Sequence, residues 1–281
     1  MKLFYGSDLH LEFEKGSKHT LDIPEGNVLV LAGDVYCPWN KLQEMAPRKN
    51  PPMRHEDVYM SFFEEVSRRF DHVMYVLGNH EHYNGYFFET ADLVKRHLEG
   101  FPNIHLLTNS YWQVEDVLFF GSTFWTDARG SHPEVMWDIK RGLNDYHTIY
   151  SSRDSYNPYK SGGTKLMVED TVNENHYTRL ALREFFTKAE EQALKPFVIT
   201  HHQPSWECVE QYYRHDNCSY AYANTGFDEF LMDFPPHHWV AGHMHKNDVL
   251  QVGNAKVMTN SRGYVGYETS ANKYAFQELD I

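Results

Sequence analysis

No apolar run in the chain approaches the ~20 residues a membrane-crossing helix requires, which argues against a helical span. The N-terminal segment Lys2-Leu3-Phe4-Tyr5 looks like a strand and runs straight into a ligand-bearing motif, so no cleavable signal peptide is expected. Cysteine is scarce. Cys37, Cys208 and Cys218 are odd in number and lack zinc-ribbon spacing, which makes the reducing cytoplasm the expected compartment. Positive charge is also short: 26 Lys and Arg stand against 39 Asp and Glu, a formal net charge of −13. Broad contact with nucleic acid needs Lys and Arg to release counterions, so it is disfavoured. There is no internal repeat, long linker or low-complexity tract. With 281 residues, 41% hydrophobic and 15% aromatic, the chain can bury a full core, and a single domain over 1–281 is expected.

What the chain does have is five short polar segments in series: Ser7-Asp8-Leu9-His10, Gly33-Asp34-Val35, Gly78-Asn79-His80-Glu81, Thr200-His201-His202 and Gly242-His243-Met244-His245. The first follows Lys2–Tyr5, and the others follow the apolar runs 28–31, 73–77, 197–199 and 239–241, which read as strands. Loops at strand ends in an open α/β sheet converge on one edge, where ligand sites gather. Asp, Asn and His suit Mn, Fe or Zn better than soft metals. The set suffices for two ions, and a paired-metal site points to phosphoester hydrolysis. The i, i+2 pairs Asp8/His10 and His243/His245 would share a face if the backbone there is extended.

In order and spacing these segments (DLH, GDV, GNHE, THHQP and GHMH) resemble the calcineurin-like metallophosphoesterase superfamily, over residues 8 to 245. The resemblance implies an α/β fold of two mixed β-sheets packed face to face with flanking helices, an αββα sandwich. It implies two divalent ions (Mn, Fe or Zn) about 3.5–4 Å apart, bridged by Asp34. One ion would take Asp8, His10, Asp34 and His245; the other would take Asp34, Asn79, His201 and His243. A metal-bridging hydroxide would attack phosphorus, and His80 would protonate the leaving oxygen, with Glu81 placed to orient it. The fourth motif offers two adjacent histidines: His201 is taken as the ligand, and His202 as a residue behind it or facing substrate. Arg129, Arg141 and Arg262 carry forks suited to phosphate. Arg262, soon after the last ligand strand, is the expected substrate contact. The implied function is a dinuclear metal-dependent phosphoesterase acting on a small phosphorylated substrate, a phosphomonoester or phosphodiester. The alternatives are a nuclease of the same superfamily and a non-catalytic scaffold; intact motifs weigh against the scaffold. Oligomeric state is left open.

Around the motifs, apolar spacing predicts helices over 56–70, 86–98 and 170–194, the last with Tyr177, Leu180, Ala181, Phe185, Phe186 and Ala189 on its buried side. It predicts strands at 104–107, 111–114, 117–121, 249–252, 256–259 and 274–279, and a tight hairpin at Glu115-Asp116. The polar stretch from about 127 to 170 has weak periodicity and is expected to be an insertion over the site. Its aromatic residues Trp137, Tyr146, Tyr150, Tyr156 and Tyr159 suit contact with a ring or base.

Overall fold

The computed structural model describes residues 1–39, 55–151 and 163–281, with side chains of the second segment described from 58 onward. Tyr156 and Tyr159 therefore lie outside the described residues. Two sheets form the centre. The first has the order β11-β1-β2-β3-β4, from β1 (Lys2–Gly6), β2 (Gly26–Ala32), β3 (Phe70–Val76), β4 (Ile104–Leu106) and β11 (Gln277–Asp280). The second has the order β5-β6-β7-β8-β10-β9, from β5 (Ser110–Val114), β6 (Val117–Ser122), β7 (Lys195–Thr200), β8 (His238–Ala241), β9 (Asn247–Val252) and β10 (Ala255–Asn260). Both sheets are mixed: β1, β2, β3 and β4 are parallel, as are β6, β7, β8 and β10, while β11, β5 and β9 join antiparallel at the edges.

Alternation along the central strands explains the layers. Leu3, Tyr5, Val28, Val30, Met74 and Val76 face inward against Phe119, Phe197, Ile199, Val240 and Met258 of the other sheet. Their neighbours Phe4, Leu29, Leu31, Val73 and Tyr75 face outward and meet Val58, Phe62, Phe63 and Val66 of helix α1 (His55–Arg69). On the far side Leu118, Phe120, Val198, Trp239 and Val257 are covered by Leu182, Phe185, Phe186 and Ala189 of the long helix α5 (Val168–Glu191). A strand buried on both faces reads as a continuous apolar run, which is why these strands were visible in the sequence. The αββα expectation holds. Among the described residues no helix is long and apolar enough to cross a membrane.

Four elements differ from expectation. The segment 86–98 is a 3-10 turn followed by α2 (Thr90–His97). The last strand starts at Gln277, because Phe276 enters the core beside Tyr274. On α5, Tyr177 and Leu180 are exposed at 59% and 47%. The buried stripe instead runs Thr171, Asn175, Thr178, Leu182, Phe185 and Ala189, and its polar end is bonded: Asn175 Nδ2 donates to Trp125 O at 2.6 Å. Finally, the described part of the 127–170 stretch carries helices, α3 (Pro133–Gly142), α4 (Asp145–Thr148) and the start of α5. It has its own small core of Trp125, Val135, Ile139, Tyr146, Ile149 and Leu166. Its own helices, α3 and α4, are ten and four residues long, too short to show a clear period against the polar background. The hairpin at Glu115-Asp116 forms as expected, with Val114 opposite Val117.

Candidate metal centre

The parallel strands β1, β2 and β3 of one sheet and β7 and β8 of the other end on the same edge of the sandwich, and each motif begins where its strand stops. The two sheets are tied there: Ser7 N–H donates to Asn260 O at 2.9 Å, and Ser7 Oγ lies 3.1 Å from Ser261 Oγ. Asp8, His10, Asp34, His243 and His245 all adopt left-handed backbone, with φ of 52°, 47°, 53°, 71° and 47°. The paired ligands are therefore delivered by turns, and the expectation of extended i, i+2 delivery is corrected. Such conformations cost on the order of 1–3 kcal/mol each and cluster at functional sites. Backbone bonds hold them, with Asp8 N–H on Gly33 O at 2.9 Å and His10 N–H on Asp34 O at 3.0 Å. Glycine is required beside them. A Cβ at Gly33 (φ +86°) would strike the His201 ring, and one at Gly78 would strike the Asp34 carboxylate.

Three candidate ligand groups result, and one of them, His10, Asp34 and His80, shares a residue with each of the other two. Asp8, His10 and His245 converge, with His245 Nε2 at 3.6 Å from Asp8 Oδ1 and 3.1 Å from His10 Nε2. Asp34, His201 and His243 converge beside them, with His201 Nε2 at 3.4 Å from Asp34 Oδ2 and 3.0 Å from Asn79 Oδ1. Asp34 Oδ2 also lies 3.8 Å from His10 Nε2, so one carboxylate faces both groups.

The donor chemistry fits cations. His10 Nδ1 is 3.0 Å from Glu12 Oε1, and His245 Nδ1 is 2.7 Å from Glu268 Oε1. Carboxylates accept, so the ring protons sit on Nδ1 and the two Nε2 lone pairs face each other. His201 Nδ1 is likewise engaged by Ala32 O at 2.9 Å, which turns its Nε2 lone pair toward the oxygens of Asp34 and Asn79. His243 Nε2 is buried without a hydrogen-bond partner among the described residues. Several acceptors aimed at common points are what a metal ion resolves, and without one a proton takes its place on His201 Nε2.

Burial disfavours charge on His201, yet the adjacent Asp34 carboxylate outweighs it and raises the imidazole to about 10. The same balance raises His80 to about 9, with Asp34 and Glu12 prevailing over burial. Glu12 would be raised by burial, but His10 and His80 hold it down at about 2. His80 donates its backbone N–H to Asp34 Oδ1 at 2.8 Å. Its Nδ1 lies 3.2 Å from Glu12, its Nε2 lies 3.3 Å from Tyr264 Oη, and its ring is stacked on Tyr83 at 4.2 Å.

Two assignments change and a third, His202, is narrowed. Glu81 does not touch His80; its buried carboxylate accepts from the N–H groups of Asp34, Val35 and Gly78 and from Tyr75 Oη–H, fixing the Asp34 turn. Glu12 takes the place beside His80. Arg262 is not a free fork: it is 3% exposed, and it donates to Glu14 Oε1 at 2.6 Å, Thr20 Oγ1 at 2.9 Å and Leu9 O at 3.1 Å. It braces the turn below Asp8 and His10. His202 is 1% exposed, lies 3.1 Å from Thr123 O through Nδ1, and packs between Trp125 and His243. Burial and the neighbouring His201 push it down to about 3, so it is a neutral ring behind His243. Arg129 and Arg141 lie over Tyr220 and Trp137. The sequence reading missed Glu12, Tyr264 and Glu268. Of these only Glu12 left a signal, two residues after His10.

Residues 2–247 match the calcineurin-like phosphoesterase family. The chain belongs to that family. As a member it is a metal-dependent phosphoester hydrolase, and its clustered Asp, Asn and His side chains are suited to divalent ions. It is 27% identical over 299 residues to "Uncharacterized protein L509" of Acanthamoeba polyphaga mimivirus, covering 99% of this chain and 96% of that protein. Its fold is similar to that of phosphopantetheinyl hydrolase (PptH) from Mycobacterium tuberculosis, with a TM-score of 0.62 at 15% identity, covering 99% and 95% of the two chains.

Proposed function

We propose that the chain is a dinuclear phosphoesterase acting on a small phosphorylated substrate. The observation that carries this reading is the position of Asp34. Its Oδ2 lies 3.8 Å from His10 Nε2 and 3.4 Å from His201 Nε2, which supports a shared ligand between two groups. Asp8, His10 and His245 would complete one coordination set, and Asn79, His201 and His243 the other. Two Mn, Fe or Zn ions held there supply Lewis acidity toward phosphate oxygens and ionise a water at neutral pH.

The chain's own groups do the remaining work. Asn79 is a neutral donor, so only Asp8 and Asp34 contribute negative charge to the proposed sets. His80 holds a proton on Nε2 facing the mouth, while Glu12 fixes its Nδ1. That proton is placed to go to the departing oxygen. Tyr264 Oη stands beside it at 3.3 Å. The formal net charge of −13 favours a small substrate over a long polyanion.

The test is a panel of aryl phosphomonoesters, bis-aryl phosphodiesters, cyclic nucleotides and dinucleotide polyphosphates, assayed after chelation and stepwise addition of Mn. The expected result is activity that returns only as the second equivalent binds. Full activity at one equivalent would remove the dinuclear reading.

A further inference from the structure

The helical segment following β6 sends one carboxylate into the site. Asp145, the first residue of α4, is 4% exposed, and its Oδ1 accepts from Asn79 Nδ2 at 2.9 Å and from Tyr83 Oη–H at 2.8 Å. A carboxylate taken out of water at this depth is tolerated only with its donors in place. Here both donors come from the loop after β3, and one oxygen serves both.

The consequence follows from the two ends of an amide. Asn79 presents either an oxygen, which accepts, or an NH2, which donates. Its oxygen faces His201 Nε2 at 3.0 Å, and its NH2 faces Asp145. Turning the amide over would set its oxygen against the Asp145 carboxylate and its NH2 among the ligand nitrogens. An acceptor-only partner at this position therefore selects the ligating orientation. Through Tyr83, the same oxygen also anchors the ring on which His80 stacks at 4.2 Å.

Asp145 is itself held firmly. Tyr150 N–H donates to Gly85 O at 2.9 Å and Phe87 N–H to Tyr150 O at 2.8 Å, tying the end of α4 to the loop that carries Asn79 and Tyr83. Tyr146 Oη lies 2.9 Å from Thr171 Oγ1, and the ring sits in the small core with Ile139 and Ile149.

We propose that Asp145 is a positioning residue that sets the amide of Asn79 for metal binding, so that α4 governs one half of the metal centre. This rests on the reading of Asn79 as a ligand. Outer partners of this kind typically change metal affinity by about 10–100-fold. The experiment titrates Mn into chelated wild type, Asp145→Asn, Tyr83→Phe and Asn79→Ala by calorimetry, with unfolding temperatures measured on the metal-free proteins. Asp145→Asn, which offers NH2 as well as oxygen, is expected to weaken one of two Mn sites by about 10–100-fold, with an unfolding temperature close to wild type. Tyr83→Phe is expected to keep both affinities and lower turnover only. If Asn79→Ala loses a site while Asp145→Asn keeps both at wild-type affinity, the positioning role is overturned. If Asn79→Ala itself keeps both sites, the ligand reading fails first. Should Asp145→Asn unfold, Asn79→Asp provides the second route. Its carboxylate against Asp145 is expected to weaken the same site, and unchanged binding would contradict the proposal.

Discussion

On the His10–His245 side of the centre, the imidazoles are oriented by carboxylates, Glu12 at 3.0 Å and Glu268 at 2.7 Å. On the His201–His243 side, orientation comes from Ala32 O behind His201, from the buried ring of His202 behind His243 and from Asp145 behind Asn79. The first side approaches solvent only at its His245 end, with 18% of the His245 side chain and 30% of the Glu268 side chain exposed, whereas the side chains of His10 and His201 are fully buried. A carboxylate partner raises the basicity of the imidazole it holds and can be tuned by one substitution. A strand carbonyl is fixed by the sheet. The difference separates an adjustable half from a structural half, with Asp34 between them.

The largest effect should come from removing what the halves share. Asp34→Asn is expected to deplete both ions, measured by elemental analysis, and full dinuclear occupancy would defeat the shared-ligand assignment. Next, His80→Ala is expected to leave both halves loaded and lower turnover by about 10²–10⁴-fold for an ester with a poor leaving group. With a good leaving group the loss should shrink; an equal loss in both cases would assign His80 to phosphate stabilisation.

The contrast itself is sharpened by Glu12→Gln and Glu268→Gln. Glu12→Gln is expected to weaken one Mn site by about 10–100-fold and Glu268→Gln, at the partly exposed carboxylate, by less, since solvent screens that pair. Weakening of both sites equally would erase the distinction. For the structural half, His202→Ala is expected to keep full metal content while losing about 2–4 kcal/mol of stability in denaturant unfolding. A lost ion with unchanged stability would instead make His202 a ligand.

The smallest effect concerns pH. Burial holds His202 down at about 3 and His82 at about 4, so both are neutral when folded. Unfolded histidines titrate near 6.5, so the unfolded chain takes up protons first as pH falls. The stability these rings contribute is complete above about pH 6.5 and declines as pH falls from there toward their folded values. In the metal-free protein, His202→Gln should flatten unfolding temperature against pH across that window.

The candidate ligand positions were legible because polar residues at strand ends leave a short motif after an apolar run, and both parts survive in one dimension. Glu12 was half-legible, two residues after His10 but without a period or motif to mark it. Glu81 was misread for the same reason: its neighbour in sequence is His80, yet the 3-10 turn at 80–82 swings its carboxylate beneath Asp34. Arg262 looked free because its partners Glu14 and Thr20 lie more than 240 residues earlier.

By itself, then, the sequence determined the strand ends and the residue types gathered there, since alternation and apolar runs are local consequences of burial, and the two-sheet sandwich followed from the family resemblance those motifs carry. The tertiary structure alone decided which carboxylate orients which ring. Asp145 reaches Asn79 across 66 positions and Glu268 reaches His245 across 23. A hydrogen bond is set by distance and direction within about 3 Å, and neither is encoded in spacing along the chain.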